Sequence, residues 1–140
     1  MADEPRTTRT LDACARPECL DRVHALLGEL WEDAPDIDFS ARMRFEIAVA
    51  EVAANIVEHA GSPEQGVVDL NLRLMSFDDR VEARFRDTGR AADVDLATAR
   101  LPEDAAEDGR GLAIALAAVD EVSYERDGDV NCWLVVQRHA

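Results

Sequence analysis

Paired cysteines, long apolar runs and basic charge are all scarce in this sequence. The three cysteines, Cys14, Cys19 and Cys132, are an odd number without metal-site spacing, which favours a reducing compartment over a disulfide framework. The first ten residues, MADEPRTTRT, lack the apolar core of a secretory signal. No apolar run approaches the roughly 20 residues that span a bilayer. We therefore expect a cytoplasmic protein with no membrane partner.

Basic residues are outnumbered, because 15 Lys and Arg face 30 Asp and Glu, for a net charge of -15. Such a field repels a phosphate backbone at long range and attracts basic protein surfaces, so we expect no direct nucleic-acid partner. ATP can still bind, because local donors and Mg²⁺ decide that. With 47% hydrophobic residues over 140 positions, we expect residues 1–140 to form a single folded domain.

Hydrophobic periodicity predicts three helices and five strands. In chain order these are an edge strand at 7–13, helices at 17–33 and 40–61, strands beginning at 66 and 81, a helix at 109–119, and strands at 121–126 and 130–137. We expect Ser40 to cap the second helix and the segment 90–108 to be mostly a loop. We also expect Trp31, Phe39 and Trp133 in the core. Helices that can all lie on one face of the sheet indicate an α+β fold with two layers.

The second helix carries a polar stripe along an otherwise apolar surface. At roughly 100° per residue, Glu51 and Asn55 lie one turn apart on the same arc, near Glu58 and His59. A carboxylate and an amide oxygen could therefore reach one small volume, where Mg²⁺ prefers one or two protein oxygens supplemented by phosphates and water. A nearby Glu could accept a proton from an attacking hydroxyl. The alternative is a solvated helix face with incidental polar residues.

One glycine-containing segment ends a predicted strand, and a second begins a predicted helix. Asp87-Thr88-Gly89 ends a strand with a carboxylate, a hydroxyl and a flexible residue, although this is also a common turn sequence. The residues Asp108 to Leu112, DGRGL, begin a helix, where free backbone N–H groups and the helix dipole bind phosphates. An ordinary glycine-rich helix start is the alternative. The order and spacing of these two segments and of the polar stripe on the second helix together favour a functional interpretation.

Taken together, these motifs resemble the GHKL, or histidine kinase-like ATPase, superfamily, and within it the bacterial anti-sigma-factor serine/threonine-protein kinases. The resemblance covers nearly the whole chain. It implies the Bergerat-type ATP-binding fold, a two-layer α/β sandwich with a mostly antiparallel sheet and three main helices on one face. The segment at about 90–108 would be the ATP lid, and its brevity favours a small protein kinase over a large ATP-driven machine.

Roles for individual residues come from this resemblance. Glu51 to Asn55 looks like the N box, in which Glu51 would be the general base and Asn55 would bind Mg²⁺. The family's G1 box, which recognises adenine, is similar to Asp87 with Gly89. The G2 box, which lies against the phosphates, is matched by Gly109, Arg110, Gly111 and Leu112. The implied cofactors are ATP and Mg²⁺.

The resemblance also implies an activity and partners. The protein would phosphorylate a serine or threonine of a small STAS-type anti-anti-sigma antagonist, and would alternatively sequester a sigma factor, typically as a homodimer. Two departures from the family's pattern bear on nucleotide handling. Ala91 replaces the second glycine often found in the G1 box, and Asn131 lies near a glycine-threonine pair often found in the last strand, where it could supply the polar contact.

Two other readings remain. A nucleotide-sensing module that holds a regulator without phosphorylating it would suit the altered G1 box, whereas retention of Glu51 and Asn55 argues for preserved chemistry. The catalytic part of a histidine kinase would need a long helical segment with a phosphoacceptor histidine before it. Only about sixteen residues precede the first predicted helix, and neither His24 nor His139 lies in such a segment.

Overall fold

A computed structural model describes residues 4–59, 66–92 and 107–139, with side chains from Gly111 onward in the last segment. The elements in chain order are β1 Thr7–Cys14, α1 Cys19–Asp33, α2 Phe39–His59, β2 Asp69–Ser76, β3 Arg80–Asp87, α3 Glu107–Ala118, β4 Glu121–Asp127 and β5 Val130–Arg138. The predicted order of strands and helices is confirmed, and β1 is an edge strand as expected.

The five strands form one sheet in the order β1-β2-β3-β5-β4, and every neighbouring pair is antiparallel. Side chains alternate between the two faces of the sheet. Leu72, Phe85 and Val135 lie on the face that the helices cover and are 0% exposed, whereas Arg73 and Arg84, on the other face, are exposed. The fold is therefore α+β with two layers, as predicted.

The helix layer is organised around α2. Its buried residues include Phe45, Ala48, Val49 and Val52, all 0% exposed, and it packs against α1, α3, β3 and β5. Trp31 of α1 meets Phe45 edge to face, with ring centroids 5.9 Å apart. This packing fixes α2 over the two strands whose ends carry Asp87 and Asn131. No helix within the described residues is long and apolar enough to cross a bilayer.

Two expectations about the start of α2 need correction. The cap of α2 is Asp38 rather than Ser40, because the Asp38 carboxylate accepts a hydrogen bond from the backbone N–H of Ala41 at 3.1 Å. Phe39 was expected in the core but is 74% exposed, since the first residue of α2 faces away from the sheet. Trp31 and Trp133 are buried as expected.

The segment between β3 and α3 is only partly described. Helix α3 begins at Glu107, so the last two residues assigned to the predicted lid belong to a helix. The rest of that lid from 93 to 106, and the predicted end of α2 at Gly61 to Pro63, lie outside the described residues.

Candidate active site

Glu51 on α2 and Gly111 on α3 are brought into direct proximity. A Cβ atom built on Gly111 would lie 2.7 Å from Oε2 of Glu51, closer than real Cβ atoms come to other atoms. With the Glu51 carboxylate in this position, glycine leaves the space that a Cβ atom at 111 would occupy. Leu112 and Ala115 are 5% and 0% exposed, so they anchor α3 in the core and keep Gly111 next to Glu51. Two of the residues predicted from the sequence thus share one location.

The contact between Gly111 and Glu51 matters chemically because it lies in the first turns of α3. The first four N–H groups of an α-helix have no partner within the helix, and the helix dipole makes that end partly positive. The structure describes α3 from Glu107 onward, so its first turn is residues 107–110. Gly109 and Arg110 therefore lie on the backbone turn expected for them, although their side chains are outside the described set. Such a helix end suits an anion near Glu51.

Asn55 follows Glu51 by one helical turn and is partly buried. Within the described residues no group of three or more His, Cys, Asp or Glu side chains could hold a metal ion. An amide oxygen beside a carboxylate does fit the incomplete donor set of Mg²⁺, which usually takes its remaining ligands from phosphates and water. Asn55 could contribute one such ligand, with Glu51 close by.

Asp87 lies at the end of β3, on the helix-covered face, and is 4% exposed. Its Oδ1 accepts hydrogen bonds from Gly89 N at 3.0 Å and from Asn131 Nδ2 at 2.9 Å. Buried carboxylates need such partners, because burial without them is costly. Its Oδ2 has no hydrogen bond to any residue that the structure describes, so this oxygen is available to accept an N–H from a ligand.

The two residues after Asp87 have different tasks. Gly89 is buried, and a Cβ atom there would lie 2.9 Å from Asp87 Oδ1, which explains why glycine occupies the position. Thr88 is structural, because its hydroxyl accepts a hydrogen bond from Asp69 N at 2.9 Å and its own N–H donates to Asp69 O at 3.1 Å. Asp87-Thr88-Gly89 therefore has specific hydrogen bonds and close contacts beyond those of an ordinary turn.

Sequence reasoning missed Tyr124 and Arg126, which contact Asn131, and it left the direction of the Asn131 side chain open. Asn131, 3% exposed, faces Asp87 from β5, and Tyr124 and Arg126 of β4 both contact it. The cross-strand register explains the meeting, since Asn131 pairs with Asp87 on one side and with Arg126 on the other. The alternation of β5, in which Trp133 and Val135 are apolar, was the available signal for the inward direction of Asn131.

The predicted site residues thus form two clusters. One joins Glu51, Gly111 and the start of α3, and the other joins Asp87, Gly89 and Asn131. Among the residues described, no hydrogen bond links the two clusters. Helix α2, which carries Glu51, packs against β3 and β5, the strands that carry Asp87 and Asn131.

Comparison with known proteins finds similarity to a family, to a named relative and to a solved structure. The family model of the histidine kinase-like ATPase domain matches residues 13–136. The chain is 31% identical over 112 residues to serine-protein kinase RsbW of Halalkalibacterium halodurans, across 74% of this chain and 62% of that protein. It also resembles the crystal structure of the RsbU and RsbW domains of Rv1364c from Mycobacterium tuberculosis, with a TM-score of 0.65 and 20% identity, across 96% of this chain and 33% of that one.

These matches differ in what they establish. The family model covers most of the chain. The chain spans about three fifths of the length of the curated relative and a third of the solved chain. The structural match, at its low identity, establishes the shared fold alone, which agrees with the fold expected from the sequence.

Proposed function

This chain belongs to the family of histidine kinase-like ATPase domains, and we propose that it is an ATP-dependent serine/threonine-protein kinase that also acts as an anti-sigma factor. The observation that carries the proposal is the approach of Gly111 to the Glu51 carboxylate. It puts a group able to accept a proton beside a helix end able to bind phosphates. A kinase needs these two features at one place, because phosphoryl transfer depends on positioning and on neutralising charge.

Each residue has a defined task in this mechanism. Glu51 accepts the proton of a serine or threonine hydroxyl on the partner protein as that oxygen attacks the γ-phosphorus. Asn55 would hold Mg²⁺, which would supply positive charge to neutralise the phosphates. The backbone of Gly109 and Arg110 at the start of α3, together with the positive charge of Arg110, would stabilise the phosphate charge, and Gly111 leaves room there for Glu51. The bond between the γ-phosphorus and the bridging oxygen breaks, and ADP is the leaving group.

Recognition of the base belongs to the second cluster. Asp87 accepts a hydrogen bond from the exocyclic amino group of adenine through Oδ2, since Oδ1 already has two donors. A guanine base has a carbonyl oxygen at the corresponding position, which a carboxylate would repel. Gly89 leaves room for the base to approach, and Leu112 supports the α3 end of the site from the core. ATP should therefore bind better than GTP.

The partners in this proposal are a small STAS-type anti-anti-sigma antagonist, which is phosphorylated, and a sigma factor, which is sequestered when the antagonist is not bound. The relative from Halalkalibacterium halodurans is named a serine-protein kinase, which supports this class of substrate. We further propose a cytoplasmic homodimer. The three free thiols support a reducing compartment, and a net charge of -15 suits a protein partner rather than nucleic acid.

A non-catalytic nucleotide-sensing module of the same fold is the second candidate. Ala91, in place of the second glycine of the G1 box, is the observation that favours it, because it alters the start of the lid. The presence of Glu51 beside Gly111 favours the kinase, since a module that only senses nucleotide needs no general base.

The two candidates differ in the effect of Glu51→Gln. Calorimetric titration with ATP, with and without Mg²⁺ and against GTP, establishes binding first. We expect Glu51→Gln to keep the Kd for Mg-ATP within about twofold and to lose phosphotransfer to STAS-type proteins of the same genome. Glu58→Gln, on the exposed end of α2, is the matched control and should keep both. Binding without transfer by the wild-type protein would favour the sensing module, and no binding at millimolar ATP would remove both candidates.

A further inference from the structure

A polar network surrounds the Asn131 side chain where β3 and β4 end and β5 begins. The Asn131 Nδ2 donates hydrogen bonds to Asp87 Oδ1 and to the Arg90 carbonyl, both at 2.9 Å, and lies 3.4 Å from the Gly89 carbonyl. Its Oδ1 accepts hydrogen bonds from Arg126 Nη1 at 3.0 Å and from the Tyr124 hydroxyl. A buried amide with this many partners is a precisely oriented group.

The neighbours fix which way the amide points. Every group around Nδ2 is an acceptor, and the groups around Oδ1 are donors, so exchanging the two ends would leave Asp87 facing another oxygen. The threonine that related proteins often have near this position could not replace it fully. A hydroxyl has one hydrogen to donate, whereas the Asn131 amide donates two, one to Asp87 and one to the Arg90 carbonyl.

The network determines which oxygen of Asp87 a ligand can use. Asn131 Nδ2 and Gly89 N both donate to Oδ1, which stops the carboxylate from rotating about its Cβ–Cγ bond. Oδ2 is then held in one direction without a partner among the described residues. A group kept in its binding orientation before the ligand arrives loses less entropy on binding and discriminates better between ligands.

The same network holds the first residues of the segment that follows β3. Arg126 Nη1 donates to the Gly89 carbonyl at 2.8 Å, and the backbone N–H of Ala92 donates to the Tyr124 hydroxyl at 3.0 Å. With the Asn131 contact to Arg90, three side chains of β4 and β5 bind the backbone of residues 89–92. This segment includes Ala91, where the G1 box often has a second glycine.

We propose that Asn131 is a positioning residue that couples adenine recognition by Asp87 to the conformation of residues 89–92, with Tyr124 and Arg126 holding Asn131 and that segment in place. This inference rests on the proposed nucleotide site. It divides the network into two parts. Asn131 sets base selectivity through Asp87. Tyr124 acts on the segment through Ala92, and without the Tyr124 hydroxyl Arg126 Nη1 still donates to Asn131 Oδ1 and keeps the amide facing Asp87.

The test compares ATP with purine riboside triphosphate, which lacks the exocyclic amino group that Asp87 would recognise. We expect the wild-type protein to prefer ATP, so that the Kd for purine riboside triphosphate divided by the Kd for ATP is well above one. Asn131→Ala should reduce this ratio by about tenfold, the size expected for loss of one hydrogen bond to a charged group. Asp87→Asn should reduce the ratio at least as much. Asn131→Thr, with one donor, should recover part of the selectivity.

Tyr124→Phe separates the two parts of the network. It should keep the ratio of Kd values but release a fluorescent ATP analogue faster in stopped-flow experiments, because Ala92 loses its acceptor. Asn71→Ala is the matched control, since that amide donates to Asp12 on the opposite face of the sheet. It should change neither quantity. Thermal unfolding of each variant verifies that it is folded. If Asn131→Ala does not fold, Asn131→Thr replaces it in the comparison of ATP with purine riboside triphosphate.

The outcomes distinguish this inference from the proposed function. If the wild-type protein binds neither triphosphate, the nucleotide site itself is wrong. If it prefers ATP and folded Asn131→Ala keeps the full preference, Asn131 does not position Asp87 and the inference is overturned. Where Asn131→Ala does not fold, full preference in Asn131→Thr overturns it. Equal loss of selectivity in Tyr124→Phe and Asn131→Ala would overturn the division of tasks between them.

Discussion

Gly111 and Glu51 come so close that a Cβ atom on Gly111 would lie 2.7 Å from Glu51 Oε2. They are sixty residues apart in the sequence and belong to different helices, so only the packing of α3 against α2 creates this contact. The carboxylate that would accept a proton and the helix end that would bind phosphates therefore have a fixed relationship. The first prediction concerns this contact.

Gly111→Ala should separate stability from activity. The added methyl group meets the far end of the flexible Glu51 side chain, which can move away, so we expect the protein to remain folded. Displacing the carboxylate by about 1 Å should reduce phosphotransfer by roughly tenfold to a hundredfold, with a smaller change in the Kd for Mg-ATP. Chemical denaturation, calorimetry and a transfer assay measure the three quantities. Transfer at the wild-type rate would mean that the position of Glu51 is not critical.

Gly89→Ala should weaken nucleotide binding. The methyl group would lie 2.9 Å from Asp87 Oδ1 and would displace the oxygen that Gly89 N and Asn131 hold. We expect the Kd for ATP to rise by about tenfold, as for the loss of a hydrogen bond to a charged group.

Gly28→Ala is the matched control for both glycine variants. Gly28 lies in α1, and a Cβ atom there would have no neighbour within 4 Å. Alanine favours a helix over glycine, so this variant should gain about 0.5–1 kcal/mol of unfolding free energy. Its nucleotide affinity should not change. An equal loss of affinity in Gly28→Ala and Gly89→Ala would show that the effect is not local to Asp87.

Asp38→Ala should destabilise α2, whereas Ser40→Ala should not. The Asp38 carboxylate accepts the N–H of Ala41, and removal of an N-cap side chain costs about 1 kcal/mol. Ser40 is exposed within the first turn of the helix, so its substitution should change the unfolding free energy by less than about 0.5 kcal/mol. Urea denaturation measures both. The reverse order of effects would restore Ser40 as the cap.

The ion pair between Arg9 and Asp33 predicts a pH dependence of stability. Arg9 Nε donates to Asp33 Oδ2 at 2.7 Å, and this hydrogen bond lowers the pKa of Asp33 below its ordinary value of 3.8. A lowered pKa in the folded state means that the contribution is present above that ordinary value and is lost as the pH falls through the folded-state pKa.

Asp33→Asn should therefore be less stable than the wild-type protein near neutral pH, and the difference should shrink as the pH falls through the lowered pKa. Both side chains are partly exposed, so we expect a small effect that weakens further in high salt. Urea titrations at several pH values measure it. Asp129→Asn, in the turn between β4 and β5, is the control. A difference that grows toward acid pH would contradict the assigned direction of the pKa change.

Much of the fold follows from local sequence patterns. The two-residue alternation of Leu70, Leu72 and Leu74 determines which face of β2 is buried, and the helical spacing in α1 and α2 determines their apolar faces. These signals need only neighbouring residues, and they led to the correct order of elements. The grouping of Glu51 with Asn55 also follows from the helical repeat, because residues four apart lie on one side of a helix.

Packing and strand register decided the rest. The sequence predicted Ser40 as the cap of α2, whereas the helix begins at Phe39 and Asp38 caps it. The outward direction of Phe39 likewise depends on where the helix begins relative to the sheet. The neighbours of Asn131 could not be read locally, because Asp87 and Arg126 reach it from two other strands whose register is set by the whole sheet. The sequence determined which residues are candidates for the chemistry, whereas the tertiary structure decided which of them meet, because contacts across elements depend on how the entire core packs.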